Sequence, residues 1–378
     1  MPLIVPRQSN RRLARLFGIN IEFHWTWLII LYLFGYSLGD FFSHSYHWGL
    51  TVAWTVAIIT TLLFFVSVVL HELAHSLTAR RYGLPVHTIT LFVFGGVSEL
   101  TREPEQAGAE FVIAIVGPLT SLIIGGICLG FSRLGPRQSP AMVALWWLGA
   151  INLILAIFNM APGFPLDGGR VLRAIIWSAN HNFVSATRWA TSIGKLVGFL
   201  FILYGVLEFF RGQGLNGLWI AFIGWFLVMA AEQSWRQTEA KSALGNFTVR
   251  DLSNPFFTAV PPEEEIESYF QKITESHNYR PSLVMENDDH LVGVIAPVDL
   301  RNAPRPKWPE LRVRDLMVPR ERIATVEQNE GLMEALEKMA RHNVSQLPVL
   351  QGDRVMGVIR RDRILELLQT HLSGKNHQ

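Results

Sequence analysis

The chain divides by hydropathy into an apolar N-terminal part and a C-terminal part with charges throughout. Six apolar runs approach the ~20 residues that an α-helix needs to cross a bilayer. The predicted spans cover residues 25–42, 50–79, 108–134, 141–160, 192–210 and 215–231. Residues 246–378 have the composition of an ordinary soluble domain. The pattern therefore predicts a membrane domain followed by an aqueous one.

Positive charge in the short loops predicts the orientation of the spans, because Lys and Arg accumulate on the cytosolic side. Arginines occur before the first span, at Arg80 and Arg81 after the second, and again at 170–188. Fewer occur in the loops expected to face outward, which are residues 39–49, 132–140 and 211–214. With six crossings, both termini are expected in the cytosol. Residues 1–23 are expected to form an arm in the cytosol or on the membrane surface.

His71, Glu72 and His75 stand near the end of the second apolar run, where ionisable side chains are costly. On a helix, residues i and i+4 share a face, so both imidazoles can reach one ion while Glu72 lies beside it. This spacing is typical of a zinc protease. In a soluble chain the same spacing is often a solvated surface, but residues 53–70 are almost all apolar. A functional site is therefore favoured, although it needs a third ligand.

A second polar feature follows the fourth predicted span, where Pro162 and Pro165 interrupt the chain and a Gly-Gly pair follows Asp167. The backbone is expected to turn sharply there and to bring a carboxylate to membrane depth. Because a catalytic zinc usually has three protein ligands, Asp167 is the predicted third ligand. Capping of the following helix is the alternative role for this Asp.

Alternating residue types at 84–97 predict an extended hairpin that turns at Gly95 and Gly96. Strands with unpaired backbone groups cannot face lipid. We therefore expect the hairpin to be shielded by protein or to border a watery cavity in the membrane. An ordinary connector at the membrane surface is the alternative.

Three motifs together resemble the site-2 protease family of intramembrane zinc metalloproteases, peptidase family M50. They are HELAH at 71–75, FGG at 94–96 and NMAPGFPLDGG at 159–169. Their order, spacing and placement in apolar segments agree jointly, and the resemblance covers about residues 18–231. The chain shows no inserted stretch for a PDZ domain, so it is similar to the bacterial and archaeal branch that carries CBS domains.

The resemblance implies one zinc ion per chain, held by His71, His75 and Asp167, with Glu72 and Asn159 as catalytic residues. Glu72 is expected to take a proton from the attacking water and to pass it to the leaving amine. Asn159 is expected to donate a hydrogen bond to the substrate backbone or oxyanion.

The expected substrate is a transmembrane helix of another protein, which must unwind locally to expose its carbonyls. The 84–97 segment could receive the unwound strand by edge pairing, with Gly95 and Gly96 as substrate-binding residues.

The C-terminal part contains an internal repeat that resembles a tandem CBS module. VRDL occurs at 249–252 and 313–316, and LVGVIAPVDL at 291–300 aligns with VMGVIRRDRI at 355–364. Hairpin turns are predicted at 287–289 and 351–353. The predicted domains are an arm at 1–23, a protease domain at 24–234, a linker at 235–246, CBS repeats at 247–303 and 313–372 joined by a linker at 304–312, and a tail at 373–378.

CBS modules often bind adenine nucleotides through a Ser or Thr and an Asp after the last strand. The first repeat has Ala296 at the hydroxyl position and keeps Asp299, the candidate nucleotide-binding residue. The second repeat has Arg360 and Arg363 at the two positions. Binding of an adenine nucleotide, homodimerisation through the CBS repeats and docking of substrate therefore all stay open.

The predicted fold class is a multi-pass α-helical membrane protein, with six transmembrane helices and a membrane-embedded β-hairpin, followed by an α/β cytosolic CBS pair. A net charge of +2 without a concentrated basic stripe argues against nucleic acid as a partner. The single cysteine, Cys128, excludes an intrachain disulfide. The competing functions are a CBS-gated transporter or channel and a catalytically inactive scaffold that binds transmembrane helices.

Overall fold

The computed structural model describes residues 11–92, 95–100, 103–245, 247–277, 279–286, 290–352 and 354–375. The chain separates into two compact units, Met1–Arg236 and Gln237–Gln378. Six helices of the described chain are long and apolar enough to cross a membrane, judged by length and composition. This is the same number as the apolar runs of the sequence. The bounds predicted for the individual domains stay predictions.

The first unit is built from these six apolar helices, one shorter helix and a small sheet. The six are α1 (Trp27–Ser45), α2 (Leu50–Arg81), α3 (Ala107–Phe131), α4 (Pro140–Asn159), α6 (Phe183–Glu208) and α7 (Gly214–Leu244). The shorter helix, α5 (Asp167–Asn180), follows the loop after α4. A π-helical turn at Phe209–Gln213 separates α6 from α7.

Helix α2 is longer than a membrane crossing requires. Its 32 residues extend for about 48 Å at 1.5 Å per residue, whereas a hydrocarbon core is about 30 Å thick. His71 and His75 lie in the C-terminal part of this helix, within the apolar run. Their depth in the membrane stays a prediction.

A four-stranded sheet with the order β1-β2-β3-β4 lies beside α2. Its strands are β1 (Arg11–Leu16), β2 (Ile19–Phe23), β3 (Val86–Phe92) and β4 (Gly95–Leu100). Phe17 and Gly18 join β1 to β2 with φ values of 50° and 75°, as a two-residue hairpin turn requires. The structure thus differs from the expected surface arm, because residues 11–23 are strands of this sheet.

The predicted hairpin forms, but with two differences from the expectation. Gly95 and Gly96, where the turn was expected, lie inside β4 and pair with Phe92 and Leu91, and residues 93 and 94 lie outside the described range. Strand β3 also pairs in parallel with β2 from Thr88 to Leu91. Both edges of β3 are therefore occupied from Ile89 to Leu91, and β4 is an end strand of the described sheet. That the hairpin is embedded in the membrane stays a prediction.

The sheet packs against one side of α2. Ile19 of β2 and Ile89 of β3 contact Leu73, and Ile21 and Leu91 form a second cluster with Val68. Leu73 is two residues from both His71 and His75, so at about 100° per residue it points away from the imidazole face. The sheet therefore covers the back of the helix and leaves its imidazole face to α3.

The second unit holds the two sequence repeats. The first contains α8 (Val249–Leu252), β5 (Ala259–Val260), α9 (Ile266–Glu275), β6 (Ser282–Glu286) and β7 (His290–Ile295). The second contains α10 (Val313–Leu316), β8 (Val318–Pro319), β9 (Val326–Glu327), α11 (Leu332–Arg341), β10 (Gln346–Gln351), β11 (Arg354–Arg360) and α12 (Arg361–Lys375). The predicted turn at 287–289, and residue 353 of the other turn, lie outside the described residues.

The two repeats share one sheet with the order β5-β6-β7-β11-β10-β9, to which β8 adds beside β7. The first residues of each repeat also pack in the hydrophobic core of the other repeat. Val249 packs in the core of the second repeat, and Val313 packs in the core of the first. Neither repeat therefore closes its core with its own residues alone.

Candidate metal centre

Helix α2 presents two imidazoles from one face into the interior of the first unit. His71 and His75 are one turn apart, and their exposed fractions are only 3% and 4%. Their Nε2 atoms lie 3.2 Å from each other. Buried imidazoles need partners for both ring nitrogens, so the surroundings of each ring decide what the pair can bind.

A carboxylate from α5 completes the cluster. Oδ2 of Asp167 lies 3.1 Å from Nε2 of His71 and 3.2 Å from Nε2 of His75. These three residues form the group of His, Cys, Asp and Glu side chains in the described chain that could hold a metal ion. The structure thus brings Asp167 to the two histidines, although more than ninety residues of sequence separate it from them.

The hydrogen bonds of the other ring nitrogens orient both rings from α3. Nδ1 of His75 lies 2.6 Å from the carbonyl oxygen of Ile113, which can only accept, so Nδ1 donates the proton. A neutral His75 therefore keeps its lone pair on Nε2, toward His71 and Asp167. Nδ1 of His71 lies 2.9 Å from the hydroxyl oxygen of Ser121. Such partners of the second nitrogen are usual for metal-binding histidines.

The space around the two Nε2 atoms fits a small cation. Tetrahedral zinc with bonds of about 2.0–2.1 Å separates its ligand atoms by about 3.3 Å, close to the 3.1–3.2 Å found here. A Cβ on Gly117 would lie 2.6 Å from Nε2 of His71 and closer still to Nε2 of His75. A side chain at position 117 would thus fill this space. Two imidazoles and a carboxylate are a ligand set that zinc accepts.

Asp167 is placed by close backbone packing at the start of α5. A Cβ on Gly168 would clash with the backbone of Met160 and Ala161, and one on Gly169 with that of Gly163 and Phe164. Only glycine permits this approach. The N-cap position is Leu166 and has no side-chain cap, so Asp167 is the first helical residue. The capping alternative is therefore wrong.

The two predicted catalytic residues occupy different positions. Glu72 is half-buried on α2 and lies within electrostatic range of His75, Asp167 and Arg170. Asn159 is the half-buried last residue of α4. Glu72 therefore stands on the helix that carries both imidazoles, whereas Asn159 ends the helix before the loop that leads to Asp167.

The other predicted residues belong to elements that carry none of the three cluster residues. Gly95 and Gly96 belong to the backbone of β4. Asp299 follows β7 in the second unit, where its carboxylate accepts a hydrogen bond from the backbone N–H of Ala296 at 2.8 Å. Arg360 forms an ion pair with Asp362. Each of these two charged side chains is thus engaged locally.

Sequence reasoning missed the contribution of α3, namely the Ile113 carbonyl, Ser121 and the space above Gly117. One signal was available, because Gly117 and Pro118 interrupt an otherwise apolar helix. Either residue in a helix interior lowers helix stability relative to alanine. Such a pair therefore indicates a packing or functional reason.

Comparisons with known proteins show which family the chain belongs to. Residues 59–136 and 137–205 match Peptidase family M50, and residues 313–370 match the CBS domain. "Putative zinc metalloprotease sll0528" of Synechocystis is 34% identical over 367 residues, 96% of this chain and 96% of that protein. "Zinc metalloprotease MJ0392" of Methanocaldococcus jannaschii is 32% identical, over 94% of this chain and 95% of that protein.

A solved structure described as "Site-2 Protease from Methanocaldococcus jannaschii" is 33% identical and covers 60% of this chain and 96% of that chain, with a TM-score of 0.44. The two relatives above extend over nearly the whole chain, including both units. The chain belongs to Peptidase family M50, the site-2 protease family of zinc metalloproteases, in a form that carries CBS domains.

Proposed function

We propose that this multi-pass membrane protein is an intramembrane zinc metalloprotease that hydrolyses peptide bonds within or near transmembrane segments of other proteins. The observation that supports this best is the approach of Asp167 Oδ2 to both Nε2 atoms, at 3.1 and 3.2 Å. Membership of Peptidase family M50 supports the reaction class. The location of the imidazoles on a long apolar helix supports a substrate that is itself in the membrane.

We assign metal binding to Nε2 of His71, Nε2 of His75 and the carboxylate of Asp167. A bound zinc ion would supply Lewis-acid polarisation of the scissile carbonyl and a water whose pKa is lowered to about 7. The Ile113 carbonyl holds the proton of His75 on Nδ1, which leaves Nε2 free to bind. The Ser121 hydroxyl orients the His71 ring. Both rings are thus oriented before any metal arrives.

Glu72 is assigned the proton transfers. Its carboxylate takes a proton from the attacking water and passes the same proton to the nitrogen of the leaving amine. It follows His71 directly in the helix and lies within electrostatic range of His75 and Asp167. Asn159, at the end of α4, is assigned a hydrogen bond from its side-chain amide to the substrate backbone or oxyanion.

Strand β4 is assigned the role of receiving the substrate. A transmembrane helix hides its carbonyls in internal hydrogen bonds, so a segment must unwind before attack. An unwound segment can pair with the edge of a sheet. Because β3 is paired on both sides between Ile89 and Leu91, the edge that we propose is that of β4, which contains Gly95 and Gly96.

The test is cleavage of a single-span model peptide by the purified protein in lipid vesicles. Replacement of Glu72 by Gln should slow cleavage about 10²–10⁴-fold and leave the zinc content unchanged. The matched control is Glu105→Gln, an exposed carboxylate, which should cleave at the wild-type rate. Wild-type rates from Glu72→Gln, or cleavage that persists after phenanthroline has removed the metal, would refute the proposal.

We infer that the CBS unit regulates the protease or docks its substrate, through an adenine nucleotide or as a homodimer. The intertwined repeats support a single module, since Val249 and Val313 each complete the core of the other repeat. Calorimetric titration of the full chain with ATP, ADP and AMP, with Asp299→Ala as the variant, tests the nucleotide role. The absence of heat with all three would eliminate it and leave docking or dimerisation.

We also propose that both termini face the cytosol, as the distribution of Arg and Lys indicates. A Cys128→Ala chain can carry one new cysteine, at the exposed positions Gln138 or Tyr82. An impermeant thiol reagent added to intact cells should label Gln138→Cys and not Tyr82→Cys. The reverse labelling would show that the orientation is opposite to the one proposed.

A further inference from the structure

A buried ion pair joins α3 to α5 close to the candidate metal centre. Glu110, in the first turn of α3, is completely buried, and Arg173, in the second turn of α5, has an exposed fraction of 5%. Nε of Arg173 donates to Oε1 of Glu110 at 2.8 Å, and Nη2 contacts the same oxygen. Nε of Arg170 lies 4.0 Å from that oxygen as well.

Aromatic rings fix the guanidinium from both neighbouring segments. The guanidinium carbon of Arg173 lies 4.8 Å from the ring centroid of Phe164, in the loop before α5, and 4.5 Å from that of Phe183, at the start of α6. A planar guanidinium stacks on such rings, whereas an ammonium group does not. Arg173 is thus held in one orientation by Glu110, Phe164 and Phe183 together.

The two partners stand on two helices that contribute to the metal cluster, α3 through its contacts with the imidazoles and α5 through Asp167. Glu110 is one turn before Ile113, whose carbonyl holds His75, on the same helix as Ser121, which contacts His71. Arg173 is six residues after Asp167 on α5. The separation of α3 from α5 therefore sets whether Asp167 Oδ2 reaches the two Nε2 atoms.

The energetics favour a geometric role for the pair over a stabilising one. Removing two charges from water is expensive, and replacing a buried pair by well-packed apolar residues is often neutral or stabilising. The pair is therefore an inefficient way to stabilise the fold. Its directional bonds and ring stacking restrict the relative position of two helices instead.

We propose that Glu110 and Arg173 are positioning residues that hold α5 so that Asp167 completes the metal site. This rests on the proposed function, because it takes His71, His75 and Asp167 as ligands. Partners outside the ligand set typically change metal affinity by about 10–100-fold. Loss of the pair should have an effect of that size on metal binding without unfolding the protein.

The experiment replaces the pair by apolar residues of similar length, Glu110→Met with Arg173→Met, in the full chain. Co²⁺ is added to metal-free protein, its visible absorption reports the ligand geometry, and competition with a chelator gives the affinity. Thermal unfolding of the metal-free proteins checks the fold. We expect a Co²⁺ affinity about 10–100-fold weaker than in the wild type, a changed absorption spectrum and an unchanged unfolding temperature without metal.

A matched control is available in a second ion pair of the same unit. Lys195 of α6 and Glu232 of α7 form this pair, on two helices that carry none of the three proposed ligands. Lys195→Met with Glu232→Met should keep the wild-type affinity and spectrum. If the Glu110 and Arg173 variant also keeps them, the positioning role is wrong. If the wild type itself fails to bind Co²⁺ stoichiometrically, while His71→Ala behaves identically, the proposed metal site is wrong.

If the double replacement does not fold, a milder variant tests whether Arg173 positions α5. Arg173→Lys keeps the charge beside Glu110 but loses the stacking on Phe164 and Phe183. Positioning predicts an affinity between those of the wild type and His71→Ala, with a changed Co²⁺ spectrum. A folded Arg173→Lys protein with the wild-type spectrum and affinity would overturn the proposal.

Discussion

Gly117 of α3 approaches the imidazole of His75 so closely that a Cβ at this position would lie 2.5 Å from its Cε1 atom. The same Cβ would lie 2.6 Å from Nε2 of His71. Real Cβ atoms do not approach other atoms so closely, and both rings are held at Nδ1. An alanine at 117 must therefore displace the imidazoles or occupy the position between them.

Gly117→Ala should consequently abolish stoichiometric zinc binding and proteolysis. Gly126 of the same helix is the matched control, because a Cβ there meets nothing within 4 Å. Gly126→Ala should keep zinc binding and proteolysis. Its free energy of unfolding should rise by up to about 1 kcal/mol, because alanine has a higher helix propensity than glycine. Elemental analysis of the purified proteins measures the outcome. A Gly117→Ala protein with a full zinc content would contradict the geometry described here.

Ser121→Ala should weaken zinc binding by roughly ten-fold, since it removes the partner of His71 Nδ1 at 2.9 Å. The ring keeps its place on α2 but loses the bond that fixes its rotation. At the other end of α3, the hydroxyl of Ser132 donates to the carbonyl oxygen of Leu129, one turn earlier in the chain, so Ser132→Ala serves as the control. Chelator competition compares the two variants. Equal affinities would show that the hydroxyl does not orient the ring.

Arg80→Met should loosen the sheet and leave the metal cluster intact. The guanidinium donates to the carbonyl oxygens of Phe17, Gly18 and Val86, at 2.6–3.2 Å. It thus ties the end of α2 to the β1–β2 turn and to β3. Faster hydrogen exchange is expected across residues 11–23, with an unchanged zinc content.

The neighbouring exposed arginine provides the control for this change. Arg81→Met should exchange like the wild type, because Arg81 lies at the surface. If both variants exchange equally, the carbonyl contacts of Arg80 do not hold the sheet.

The second unit should lose stability in acid partly through Asp251. The backbone N–H of Thr248, at 2.8 Å, and its hydroxyl, at 2.9 Å, donate to this carboxylate, and they hold the pKa of Asp251 below its usual range. A lowered folded-state pKa adds stability above the unfolded value of about 3.9, and this is lost as pH falls through the folded pKa. Asp251→Asn should flatten the decline of unfolding temperature below about pH 5. Parallel curves for the two proteins would count against it.

The residues of the metal cluster could be predicted because each carries a local signal. His71 and His75 share a helical face at a spacing visible in the sequence, and Asp167 lies in a Pro- and Gly-rich break of an apolar run. The contribution of α3 could not be predicted in the same way. Which carbonyl meets His75 depends on how α2 and α3 pack, and periodicity does not contain that information.

The sheet shows a second limit of sequence reasoning. Strands β1 and β2 are short, and the partner of β2 is β3, whose pairing runs from Thr88 to Leu91, far along the chain. Four arginines at 7–15 suggested a surface arm, because charge spacing is local and strand pairing is not. The repeats of the second unit could be predicted, since the same residue motifs recur in the sequence. The packing of Val249 and Val313 in the core of the other repeat could not be predicted.

The parallel pairing of β2 with β3 restricts how the chain threads through a bilayer. Strand β2 precedes α1 and strand β3 follows α2, yet their backbones are hydrogen-bonded neighbours. The number of crossings between them is therefore even, so α1 and α2 cross together or not at all. During synthesis β2 cannot pair with β3 until both helices have been made and inserted. An appended sequence that carried the first strands to the opposite leaflet would leave β3 without that neighbour.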